Sequence, residues 1–256
     1  MTELSGSDIL IVLAGSFLAG AVNTLAGNGS IITLSILTDT LGIPANLANA
    51  TNRVGIFFQS AASAGGFTRH KSYQLSKSLP ILWVTVAGAL AGVLTAIWIS
   101  AEMFQSVFRY LMLFMLLVIL VHPERWIREG EKRNIPVYLR IPVFFILGFY
   151  GGFIQMGMGI FFLVVLVLFS GYSLMEANVV KTWVILLYTL VVLLMFAMNQ
   201  MVDWTAGGLM AVGQMAGGYL TARFAPSIPR INTYAYYLLV CIVILSVCFQ
   251  FKIIRL

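Results

Sequence analysis

The chain has 256 residues, 60% of them hydrophobic and 9% charged, with a formal net charge of +6. Soluble domains carry about 25% charged residues, so this composition excludes an ordinary water-soluble globule and points to an all-α polytopic membrane protein. The basic excess does not indicate nucleic acid, because it sits in short segments between apolar runs, where it acts as a topology signal and contacts the lipid surface.

In chain order, the opening "MTELSGSDILIVLAGSFLAGAV" resembles a signal peptide but has no basic n-region, so it reads as mature structure. It leads into "NTLAGNGSIIT" (23–33), where two glycines, two asparagines and a serine interrupt an apolar segment. This break predicts a helical hairpin with a longer arm at 8–25 and a shorter arm at 30–41. A helix carrying "NLANATNRV" follows, with Asn49, Asn52 and Arg53 in its first turns, and ends at the basic loop 68–77. Apolar runs at 79–99 and 104–121 are near the length of roughly 20 residues that spans a bilayer. The first of these holds Gly88 and Gly92, the small-xxx-small spacing of close-packed membrane helices.

The charged segment "HPERWIREGEKRNIPVYLR" then separates two units, 1–121 and 139–256, with 122–138 as a cytoplasmic linker. The second unit repeats the first at low identity. "QMGMGIFF" pairs with "AGNGSIIT", Ala177-Asn178 with Ala48-Asn49, and Gly213/Gly217 with Gly88/Gly92. Its hairpin arms are predicted at 139–155 and 160–171, followed by a helix at 176–198 and apolar runs at 206–220 and 234–251. Arg69, Lys71 and Lys77, and the five basic residues of 125–140, place the two loops that carry them inside. The first Asn-bearing helix then starts outside and the second starts inside. The two repeats are therefore inverted, and each hairpin contributes an even number of crossings; length alone leaves open whether its arms span or re-enter.

Irregular backbone at membrane depth is tolerated where protein buries it or water lines it. In inverted-repeat carriers such breaks lie near the midplane and face the substrate. Each break ends one helix and starts another, whose N-terminus carries roughly half a positive charge. The expected anion site therefore gathers Asn23, Gly27, Asn28, Gly29, Ser30, Asn49, Asn52 and Arg53 from the first unit. From the second it takes Gln155, Gly157, Met158, Gly159, Asn178, Lys181 and Thr182. Arg53 and Lys181 fall one residue apart in the repeat register, each an intramembrane cation and so a functional candidate. Packing glycines and snorkelling cations are the competing structural reading. The tryptophans near span ends read as interfacial anchors, and Cys241 and Cys248, seven apart, as apolar packing.

The acidic residues Asp8, Asp39, Glu102, Glu176 and Asp203 all lie near helix ends, so no buried proton relay is evident. No P-loop, HExxH or nucleophile elbow occurs, and neither an enzyme nor a cofactor or metal site is expected.

The run "GSFLAGAVNTLAGNGSI" (15–31), with "LGIPANLANATN" and the "RHKSY" loop, resembles the TauE/SafE family of sulfite exporters and sulfonate permeases. The second half, "GFYGGFIQMGMGIFFLVVLVL" followed by "MVDW" and a Gly-rich helix, is similar to that family's second repeat. The resemblance covers nearly the whole chain. Asn28 in the first break, and Met156 and Met158 in the second, depart from the small residues more usual there. The resemblance implies a multi-pass inner-membrane secondary transporter for sulfite or organosulfonates such as sulfoacetate. Its expected partners are a small anionic substrate, membrane lipid and, compatibly, further copies of the chain. A carboxylate transporter or an anion channel is the alternative.

Overall fold

The structure is a computed structural model that describes residues 6–67, 79–120, 136–169, 172 and 174–251, and these are essentially all helical. The basic loop near Arg69 and most of the central linker lie outside the described residues, so of the charges that set the expected orientation only Arg140 is placed.

The first half comprises α1 (Gly6–Ala26), α2 (Ser30–Ser35, extended by a wider π-type turn at Ile36–Thr40), α3 (Ala45–Phe67), α4 (Leu79–Trp98) and α5 (Ala101–Leu120). The second comprises α6 (Val137–Phe153), α7 (Met158–Leu163, extended at Val164–Phe169), α8 (Leu174–Met198), α9 (Trp204–Phe224) and α10 (Ile231–Gln250). Both interruptions fall where the glycines predict them. The second hairpin has its two arms, as the sequence predicts, broken between Phe153 and Met158. The second short arm starts at Met158 rather than Ile160, because Gly157 (φ 69°) already makes the left-handed turn.

Among the described residues, three helices contain stretches long and apolar enough to cross a membrane: Gly6–Ala26, Ile81–Trp98 and Met175–Met198. The short arms Ser30–Thr40 and Met158–Val167 are apolar but brief. Large apolar side chains face outward on the described surface, Trp83 and Trp98 among them, as a lipid-facing rim requires. Cys241 is on that outer surface rather than in the core.

Packing is exchanged between the halves. The long arm α1 lies on α9, and the long arm α6 lies on α4. Glycine makes both contacts possible: a Cβ at Gly88 or Gly92 of α4 would strike the backbone of Phe145 or Phe149, and one at Gly148 or Gly152 of α6 would strike Thr85 or Ala89. At the other contact, Gly20 of α1 meets Gln214, while Gly213 and Gly217 of α9 meet Leu13 and Phe17. The two small-xxx-small pairs thus do the same job at matching seams. The bulky variant Gly92→Leu should lower thermal stability in detergent by about 1–3 kcal/mol, the usual range for overpacking. The surface variant Gly208→Ala, with open space around it, should leave the melting temperature unchanged.

Candidate functional site

The two breaks meet at the centre of the molecule. Gly27 has φ 77°, and a Cβ there would land on the backbone of Gly159; a Cβ on Gly159 would land on Gly27. Both segments are buried from Ala26 to Leu34 apart from half-buried Ile32, and from Gly151 to Ile160. Only glycine lets two main chains approach this closely.

Around this crossing each half caps the other. The C-terminus of α6 offers the carbonyls of Gly151, Gly152 and Phe153, which no further turn of helix can satisfy. Arg53 of α3 donates from Nη1 to Gly151 O at 2.6 Å and to Gln155 Oε1, and from Nη2 to Gly152 O at 3.1 Å. Asn49, one turn earlier, donates to Phe153 O at 3.1 Å. The C-terminus of α1 is held in the same manner from α8. Lys181 Nζ donates to Asn23 O at 2.9 Å, to Thr24 O at 3.2 Å and to Asn178 Oδ1 at 2.5 Å. Asn178 Nδ2 donates to Leu25 O at 3.0 Å. Cations at helix C-termini lie against the negative end of the helix dipole, and hydrogen bonds with a charged partner are worth about 1.5–3 kcal/mol each.

Arg53 is 0% exposed and Lys181 2% exposed, and all these partners are neutral oxygens. Among the described residues no Asp or Glu is buried. The centre therefore holds two positive charges with no acid beside them, and Phe196 covers one face of the Arg53 guanidinium at 5.8 Å.

Several buried polar groups near the crossing have no hydrogen-bond partner: both side-chain atoms of Asn28, Asn52 Nδ2 and Arg53 Nε. Asn52 Oδ1 accepts from Thr33 Oγ1 of α2 at 2.7 Å, so its amide nitrogen is turned away from that bond. The Asn23 side chain is engaged instead with Gln59 at 2.7 Å, in a polar chain that continues through Thr24 to Ser63. Thr182 Oγ1 bonds back to Asn178 O at 2.8 Å within its own helix. Ser30 and Met158 begin the short arms, both buried.

The predicted residues thus gather at the crossing, but with divided duties. Asn49, Arg53, Gln155, Asn178 and Lys181 form the clasps, Gly27 and Gly159 the contact between breaks, and Asn28 and Asn52 keep free polar atoms. Thr33, Ser63 and Tyr188, whose hydroxyl lies 3.3 Å from Gln155 Oε1, belong to the same centre and are not singled out from sequence, and Gln59, which the sequence offers to the pathway or to a neighbouring helix, bonds to Asn23. Their signal was spacing: Gln59 lies seven residues after Asn52, and Tyr188 seven after Lys181, on the same helix faces.

A family model described as "Sulfite exporter TauE/SafE" matches residues 12–249. The chain belongs to the TauE/SafE family. It is similar to a probable membrane transporter protein, ORF9, of Sinorhizobium sp, at 24% identity over 88% of this chain and 86% of the relative. It is also similar to the probable membrane transporter protein YfcA of Escherichia coli K12, at 26% identity over 83% and 78% of the two chains. A probable membrane transporter protein of Haemophilus influenzae is 27% identical over 85% and 86%. No solved structure matches significantly. The TauE/SafE chain is accordingly a membrane transporter, built around two clasped helix breaks.

Asn178→Ala removes the donor to Leu25 O and the acceptor beside Lys181. It should cost about 1–3 kcal/mol, the penalty for leaving buried polar groups unpaired. Thermal unfolding of the purified full chain in detergent checks this.

Proposed function

We propose that this TauE/SafE protein is a multi-pass secondary transporter of the bacterial inner membrane. It moves small sulfur-containing anions, an organosulfonate such as sulfoacetate or sulfite itself, by alternating access around the crossing of the two breaks. The observation that carries this reading is the pair of buried cations with no buried acid among the described residues. Taking an unpaired charge out of water costs several kcal/mol. The helix carbonyls solvate both cations but leave the net charge uncancelled. A bound anion would cancel part of it, and the unpartnered Asn28, Asn52 Nδ2 and Arg53 Nε supply donors within the same centre.

A tetrahedral oxyanion suits these donors because its oxygens accept from several directions, as helix-break sites in transporters require. The exchanged packing of α1 on α9 and α6 on α4, and the reciprocal clasps, support two inverted repeats that rock against one another. Residues of each half grip the hairpin of the other, so a change of tilt between the halves would alter both sides of the site together.

The purified full chain in proteoliposomes should show saturable, trans-stimulated exchange of sulfoacetate or sulfite that exceeds acetate exchange. Asn28→Ala is the informative variant, since no hydrogen bond within the fold uses that side chain. Losing one ligand hydrogen bond of about 1.4 kcal/mol should lower transport kcat/KM about tenfold. Flux without counterflow would mean a channel, and preference for acetate a carboxylate carrier.

A further inference from the structure

We propose that Lys181 is the proton-binding site that couples anion movement to the proton gradient, as an anion–proton symport. This rests on the transport reading above and adds its coupling ion. The clasps around the two breaks are alike in geometry but differ in one chemical respect. Arg53 keeps its charge under all ordinary conditions, whereas a lysine ammonium can lose a proton. One clasp is permanent and the other releasable.

The surroundings of Lys181 are built for the ammonium form. It has three N–H donors, and the cage offers three acceptors: Asn23 O, Thr24 O and Asn178 Oδ1. A neutral amine has two donors and a lone pair, so in the same cage its lone pair would face an oxygen. Loss of the proton therefore breaks at least one contact and loosens α8 from the end of α1. When water on one side reaches the clasp, the ammonium gives its proton to that water and the clasp opens around the amine. It takes one up from the other side before the clasp re-forms, and the proton is the only species exchanged. A bound anion favours the ammonium, and the ammonium favours the anion, because linkage between two sites is reciprocal.

The elements around Lys181 offer few competitors. α3 carries Arg53; α6 carries Tyr138, Arg140 and Tyr150; α1 carries Asp8; α4 and α7 carry no titratable group; α8 itself adds Glu176 and Tyr188. Asp8 lies at the start of α1, about 22 Å along the helix from Asn23 at 1.5 Å per residue. Tyr150 and Tyr188 are uncharged when protonated and donate to Met156 O and Gln155 Oε1.

The experiment uses the full chain in proteoliposomes with the membrane potential clamped at zero. Labelled sulfoacetate serves as probe because its acidic groups stay ionised above about pH 6. A pH-sensitive dye reports the lumen. With the lumen about one unit more alkaline, the wild type should accumulate sulfoacetate up to about tenfold while the lumen acidifies, one proton per gradient unit being worth a factor of ten. A sodium gradient alone should give no accumulation. In Lys181→Arg the accumulation ratio should fall to about one; this ratio, unlike a rate, does not depend on turnover speed. The proposal is overturned if wild-type counterflow occurs without accumulation or acidification, or if Lys181→Arg still concentrates the anion. The wild-type dye signal decides the matter even where the arginine variant misfolds. Counterflow absent for every anion in the wild type would instead remove the transport reading, and this inference with it.

Discussion

A helix that stops inside a membrane leaves its last carbonyls facing a medium that cannot solvate them. This is the constraint on which the rest of the molecule depends. The chain breaks two helices at its centre, after Ala26 and after Phe153, and so exposes two sets of carbonyls. Each set is met by an Asn and a cation from the opposite half. Neither hairpin is complete alone. The breaks are thus what tie the two halves into one body.

That solution places positive charge where charge is expensive, and the glycines make it workable. Gly27 and Gly159 bring the breaks into main-chain contact, so both clasps act within a small volume. The seams on either side, α1 with α9 and α4 with α6, are glycine-to-backbone contacts that carry few side chains. Lacking a hydrophobic driving force between helices in lipid, such seams hold by close van der Waals contact. The polar centre and the dry seams are thus complementary: the first joins the breaks by directed hydrogen bonds, the second packs the helices rigidly.

Much of this was legible in the sequence, and for identifiable reasons. Glycine pairs inside apolar runs mark breaks because little else interrupts a membrane helix, so the hairpin arms fell within a few residues of their predicted bounds. The repeated Ala-Asn step with a cation one turn on located both clasps. What periodicity supplies is a face, not a partner. It put Arg53 and Lys181 at the centre but could not show that most of their donors serve carbonyls of the other half. That contact joins residues about 98 and 157 positions apart, which no local pattern encodes. Thr33 is an ordinary polar side chain whose role appears only once α2 is docked on α3, and Gln59, which the sequence leaves facing either the pathway or a neighbouring helix, bonds to Asn23 of α1.

The two breaks also differ in a way that bears on direction of binding. The first carries Asn28 with an unpartnered amide; the second places Met156 and Met158 at the equivalent bend, both buried. Unpartnered polar atoms therefore lie on the α2 side, and the methionine side is packed with soft, adaptable side chains. A small anion with one oxyanion end and one organic end would find both kinds of surface at a single crossing. An inorganic oxyanion would use only the first. The asymmetry of two otherwise matching breaks is one that the proposed organosulfonate, itself two-ended, would match at both ends, whereas sulfite would match it at one.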